Sequence, residues 1–148
     1  MKAVLQRVSQ ASISIQGKTT AHIASGIVVL LGVDKQDTPA TAALLAKKTA
    51  HLRLFEDAGG KMNLSALELK KEILVVSQFT LCANLQKGRR PSFVEACPPE
   101  LAKPLYAHFC AQLRGHGLSV SEGVFQAEMQ VHLVNEGPVT FWLDSAGF

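Results

Sequence analysis

The sequence predicts an α+β fold, a largely antiparallel sheet system carrying two main helices, and three observations lead there. Apolar and polar residues alternate near the start, "GIVVLLGV" is an unbroken apolar run between glycines, and two later segments carry apolar residues at helical spacing. In "KAVLQRV", Val4, Gln6 and Val8 alternate with Ala3, Leu5 and Arg7. In "ASISIQG", Ile13 and Ile15 alternate with Ser12 and Ser14 before a turn at Gly17. "GIVVLLGV" suits a strand covered on both faces. Thr38 can cap a helix that Pro39 begins, with Ala42, Leu45, Ala46, Thr49 and Leu52 on one side. "EDAGG" makes a turn before "KMNL", "KEILVVSQFTL" reads as a buried strand, and "CANLQKGRRPSF" as the loop leaving it. A second helix is expected from Pro99 to Leu113, with Leu101, Leu105, Phe109 and Leu113 four apart; Pro104 fits only near its first turn, and Gly115 and Gly117 end it. Three strand-like segments close the chain: "LSVSE", "VFQAEMQVHLV" and "PVTFWLD". A stiff Asn-Glu-Gly-Pro link joins the runs Met129–Val134 and Val139–Leu143.

At 148 residues, 47% apolar and 18% charged, the chain has the composition of one ordinary globular domain, 1–148. Its longest apolar run, Ile27–Leu31, is too short to cross a membrane, and the alternating N-terminus is unlike a signal peptide. Three cysteines, Cys82, Cys97 and Cys110, form no CxxC pair and no even framework, which fits a reducing cytoplasm. A net charge of +3 is too small for non-specific nucleic-acid binding, so any RNA contact must be local. The densest basic cluster is "QKGRRPS", with Lys87, Arg89 and Arg90, and by itself it reads as a solvated loop.

The common catalytic constellations are missing. The five histidines have no metal-ligand spacing, and there is no dinucleotide or Walker-type glycine loop and no GxSxG, so no metal and no cofactor is expected. What remains is polar residues ending an apolar strand, Ser77, Gln78 and Thr80, and the Gly137-Pro138 pair. The simpler reading of the first is a strand emerging from the core with its hydroxyls bonded to backbone. The simpler reading of the second is a tight turn, since few X–Pro bonds are cis.

Taken together, "SQFTL" at Ser77–Leu81 and "NEGPVT" at Asn135–Thr140 resemble the two signature segments of the D-aminoacyl-tRNA deacylase family. The likeness extends through "LQRV", "GKMNL", "RPSF" and the closing "GPVTFWL". It implies a barrel-like, homodimeric fold. Gly137-Pro138 matches a Gly-cisPro motif that reaches into the partner subunit's site, Ser77, Gln78, Phe79 and Thr80 line that pocket, and Arg7 orients the Gly-cisPro segment. Asn135, Val139 and Thr140 flank it on the substrate side, and Glu136 stands where aspartate is common.

The implied substrate is the aminoacylated 3′ acceptor end of tRNA, and the implied reaction frees D-amino acids while sparing L-aminoacyl-tRNA. Backbone carbonyls of Gly137 and Pro138 beside the substrate Cα would collide with an L side chain, with glycine at 137 permitting unusual φ/ψ and close approach. Achiral glycine escapes that rejection, so glycyl-tRNA is expected as a substrate too. The ribose 2′-hydroxyl assists attack, and the N–H groups of Phe79 and Thr80 face the developing oxyanion. Lys87, Arg89 and Arg90 are candidate phosphate contacts. Two alternatives stay open: an esterase using Thr80 as nucleophile, and a non-catalytic RNA-binding domain. Against the second, only 6% of residues are aromatic and none interleaves with the basic cluster.

Overall fold

A computed structural model describes residues 1–86 and 88–148. Its spine is β1 (Lys2–Ile15), one strand where two were expected. The hairpin turn at Gln16 and Gly17, both at positive φ, leads into β2 (Lys18–Ile23), an edge strand whose polar "KTTAHI" gave no clear alternation. β3 (Gly26–Gly32) pairs antiparallel with the first half of β1, and β2 with the second half. Along its other edge β1 pairs with β8 (Gln130–Asp144), so the runs on either side of the Asn-Glu-Gly-Pro link belong to one strand. That strand begins only at Gln130, because Val124–Ala127 close a turn instead.

The other edge is parallel. β6 (Glu72–Ser77) lies beside β3 and β7 (Ser119–Glu122) beside β6, giving the order β2-β1-β3-β6-β7. Parallel neighbours need long crossovers. The first holds α1 (Pro39–His51) and the hairpin β4 (Arg53–Glu56) with β5 (Met62–Ser65); the second holds α2 (Pro99–Gly115). The antiparallel expectation therefore holds around β1 and fails at the β3–β6–β7 end.

α1 starts as its sequence dictates. Thr38 Oγ1 accepts from Thr41 N–H at 3.2 Å and Thr41 Oγ1 from Thr38 N–H at 3.3 Å, a reciprocal cap. α2 departs from expectation twice. Its buried stripe is Ala102, Tyr106, Phe109, Cys110 and Leu113, while Leu101 is 59% exposed. A strict four-residue repeat overshoots a helical turn by about 40° each step, so Leu101 has rotated off the face that Leu113 occupies. Pro104 also sits past the first turn, inside the helix, on its solvent side.

β1 is bent near its middle. Arg7 and Val8 are buried in succession, which breaks the alternation, and the register slips on both sides of Val8. Before the bend, Ala3 and Leu5 join Val29, Leu31 and Val75 in a core covered by the two helices. After it, Val8, Ala11 and Ile13 turn to the opposite face and meet Ile23, Val28, Leu74 and Val76. The sheet curls around this second cluster into a barrel-like form.

Candidate active site

β6 ends by handing its ladder to a turn. Gln78 N–H donates to Leu31 O at 2.7 Å, and the chain then folds into a short 3-10 helix, Phe79–Cys82. That turn lies against Gly32. A Cβ there would stand 3.0 Å from Cys82 Sγ, Gln78 O and Leu81 Cβ, so the missing side chain on β3 is what lets the turn pack down. Sequence reasoning overlooked Gly32 as a positioning residue; its only signal was the glycine closing an apolar run. Gln78 Nε2 donates to Thr80 Oγ1 at 2.6 Å, fixing two of the expected site side chains to each other. Phe79 is 58% exposed and packs edge-on against Phe93, ring centres 5.0 Å apart. No side chain caps the turn, and the first N–H groups of a helix have no partner within it.

Beside this turn opens a cleft of about 660 Å³. Leu31, Val76, Ser77 and Gln78 form one wall, Ala102 and Tyr106 of α2 another, and Phe125 with Met129, just before β8, a third. An apolar cleft with a few polar groups has the shape and chemistry that ligand sites take. The segment Phe125–Met129 was missed as site-forming because its residues read as strand. Tyr106 spends its proton within the fold: its hydroxyl donates to Val75 O at 2.9 Å, and burial raises its pKa. Cys82 is buried and its thiol is pushed up to about 12, first by burial and then by Asp34, so it is a small apolar filler. Burial likewise raises the Cys97 thiol at the cleft wall.

The second signature stands elsewhere. β8 is in register with β1 at Thr140 opposite Gln6 and at Asn135 opposite Val8, so the four residues 136–139 face the single residue Arg7. The excess chain is pushed outward, leaving Glu136, Gly137 and Pro138 exposed and Val139 buried at 3%. The Gly137-Pro138 peptide is cis. Arg7, 6% exposed, donates through Nε to Glu136 O at 3.2 Å and through Nη1 to Leu54 O at 2.9 Å; the Glu136 and Glu56 carboxylates lie 3.6 and 3.7 Å from its guanidinium. Asn135 Nδ2 donates to Arg7 O at 2.9 Å and to Val139 O at 3.2 Å. Thr140 Oγ1 accepts from Gln6 Nε2 at 3.3 Å.

Gly137 does not adopt the unusual backbone the sequence suggested. Its φ lies outside the left-handed region, and a Cβ there would meet nothing nearer than Asn135 Oδ1 at 3.8 Å. Among the described residues, no contact within its own chain requires glycine at 137.

The two signatures do not meet in one chain. Ser77 is aligned through Leu31 with Ala3, whereas the outward segment sits at Arg7 on the far edge of β1. Counted along the sheet, three strand spacings and four residues of rise lie between them, a path of roughly 20 Å. Of the basic cluster, Arg89 and Arg90 are exposed on a loop closed by paired hydrogen bonds between Asn84 and Ser92, next to Phe93 of the cleft; Lys87 lies outside the described residues.

Comparison with known proteins adds independent findings. The family model described as D-Tyr-tRNA(Tyr) deacylase matches residues 4–144. A D-aminoacyl-tRNA deacylase of Geobacter sulfurreducens is 57% identical over 145 residues, 98% of this chain and 95% of that protein. Another from Thermomicrobium roseum is 55% identical over 146 residues, 99% and 95% of the two chains. Among solved structures, a c-Myc DNA unwinding element binding protein superposes with a TM-score of 0.91 at 43% identity, covering 97% of this chain and 98% of that one. A probable eukaryotic D-amino acid tRNA deacylase shares the fold, TM-score 0.83, at 19% identity, covering 96% and 97%.

Proposed function

The chain belongs to the D-Tyr-tRNA(Tyr) deacylase family, and from that membership we propose how it acts: it hydrolyses the ester of D-aminoacyl-tRNA, spares the L form, and uses a site completed by a second copy of itself. In the reaction a water oxygen adds to the ester carbonyl, the bond to the ribose 3′ oxygen breaks, and that oxygen leaves with a proton. The products are free amino acid and tRNA.

Rejection of L substrates cannot rest on side-chain recognition, because D-amino acids carry many side chains. Apolar contact of one methylene separates substrates by only about 1–3 kcal/mol. Main chain is a stiffer judge than any rotamer. The carbonyls of Gly137 and Pro138 from one copy sit beside the substrate Cα in the other copy's cleft, where they admit hydrogen and exclude an L side chain. Glycine as an amino acid has nothing to exclude, so glycyl-tRNA is hydrolysed as well. The observation that carries this reading is Gly137 itself: exposed, beside a carbonyl held by a buried arginine, and with no contact among the described residues of its own protomer that needs glycine. The separation of roughly 20 Å between the signatures supports assembly from two copies.

At the turn bordering the cleft, the Phe79 and Thr80 N–H groups stabilise the oxyanion, Gln78 holds Thr80, and the substrate's own 2′-hydroxyl helps deliver the attack. Arg7 sets the height of the Gly137-Pro138 segment. Arg89 and Arg90, with Lys87, contact acceptor-end phosphates near the cleft mouth.

The test is release of free amino acid from D- and L-tyrosyl-tRNA by purified protein. The reading expects fast release from the D ester, little from the L ester, and slow release when the 2′-hydroxyl is absent. Equal rates with both enantiomers would sink stereochemical rejection, and full speed without the 2′-hydroxyl would remove the RNA from catalysis.

A further inference from the structure

The outward segment of β8 needs more than Arg7 to hold a defined shape. Arg7 fixes one carbonyl, that of Glu136, on the entering side. Nothing from Arg7 reaches the leaving side at Val139. Asn135 does: the two N–H bonds of its single amide span the neck, one to Arg7 O on β1 and one to Val139 O where the segment returns. Backbone and side chain of Arg7 thus engage the segment in both directions, accepting from Asn135 and donating to Glu136.

From this geometry we infer that Asn135 is a positioning residue for chirality: it clamps the neck of the Gly137-Pro138 segment and so sets how far those carbonyls project. The inference rests on the reading of the segment given above. Its chemistry is specific. Both partners are carbonyl oxygens, so the position needs a two-hydrogen donor with a short stem, which asparagine supplies. Aspartate has the same shape but turns two acceptors toward two acceptors. Serine can donate once at most. Glutamine keeps the amide and displaces it by one methylene.

An asparagine that merely closes a surface turn would affect stability and both enantiomers alike. A clamp on the chiral element moves the ratio between them. The experiment compares wild type, Asn135→Asp, Asn135→Ser and Asn135→Gln, all in the full chain, for release from D- and L-tyrosyl-tRNA, with thermal melts alongside. The clamp predicts that Asn135→Asp and Asn135→Ser hydrolyse the L ester, the D:L ratio falling about tenfold or more, equivalent to about 1.4 kcal/mol of lost discrimination. Asn135→Gln falls between them and wild type. Asn135 is exposed, so these changes leave the core intact; should the aspartate variant melt below assay temperature, the serine variant carries the test. An unchanged D:L ratio in a folded serine variant overturns the clamp while leaving the deacylase reading intact. A wild type with no preference for the D ester overturns both.

Discussion

Thr80 carries an exposed hydroxyl on the turn beside the cleft, outside the residues that line it, and its surroundings bear on two kinds of ester hydrolysis. A threonine nucleophile needs a base to take its proton. Its hydrogen-bond partner is the Gln78 amide, which donates to it at 2.6 Å and cannot act as that base. In the proposed reaction the hydroxyl anchors Gln78 and the chemistry runs on main-chain donors. Thr80→Ala should therefore keep D-tyrosyl-tRNA turnover within about tenfold of wild type, since removing a true nucleophile costs on the order of 10⁶. Single-turnover rates measure this, and a collapse of that size would restore the covalent route. At this scale Ser77, Gln78 and Thr80 stood out as polar residues ending an apolar strand, whereas their place in a site, with Phe79 and Arg7, came from the family resemblance and belongs to the proposed function. Gly32 and Tyr106 did not stand out. What makes them matter is a close approach between β3 and the turn, and between α2 and β6, which no local pattern encodes.

At the scale of elements, the caps and periodicities that act locally were the readable part. Thr38-Pro39 fixes the start of α1 by hydrogen bonds within four residues. The continuity of β8 was hidden, because Gly-Pro normally interrupts a strand, and only the long pairing with β1 carries the chain past it. The parallel edge was hidden too, since strand direction is set by the crossovers rather than by strand composition. In α2, Pro104 removes the donor that would reach Glu100 O, one turn back, and yet the residue faces solvent. Pro104→Ala restores that donor without touching the core. It should stabilise the protein by about 1 kcal/mol, part of the helical gain being offset by the freer unfolded chain. Urea unfolding checks it; a lower midpoint would mean that the proline is matched to a bend the helix needs.

For the whole molecule, α1 and α2 cover one face of the sheet, and the other curls around the cluster of Val8, Ile13, Val28 and Leu74. On β8, opposite Val4, Trp142 is 60% exposed. Phe79 and Phe93 add an exposed aromatic pair at the cleft mouth. Exposed aromatic side chains of this kind are common where proteins associate. With the exposed, bulged segment of β8, they accord with the proposed pair of copies in which each lends main chain to the other. The most direct measurement of that claim is cross-linking of the double variant Thr80→Cys, Pro138→Cys with a short dithiol-reactive reagent, followed by denaturing mass analysis. The three native cysteines are buried and present in every control. The account predicts a covalent species of twice the 15.9 kDa chain, absent from either single variant. A double variant that stays at one chain mass under the same treatment contradicts it.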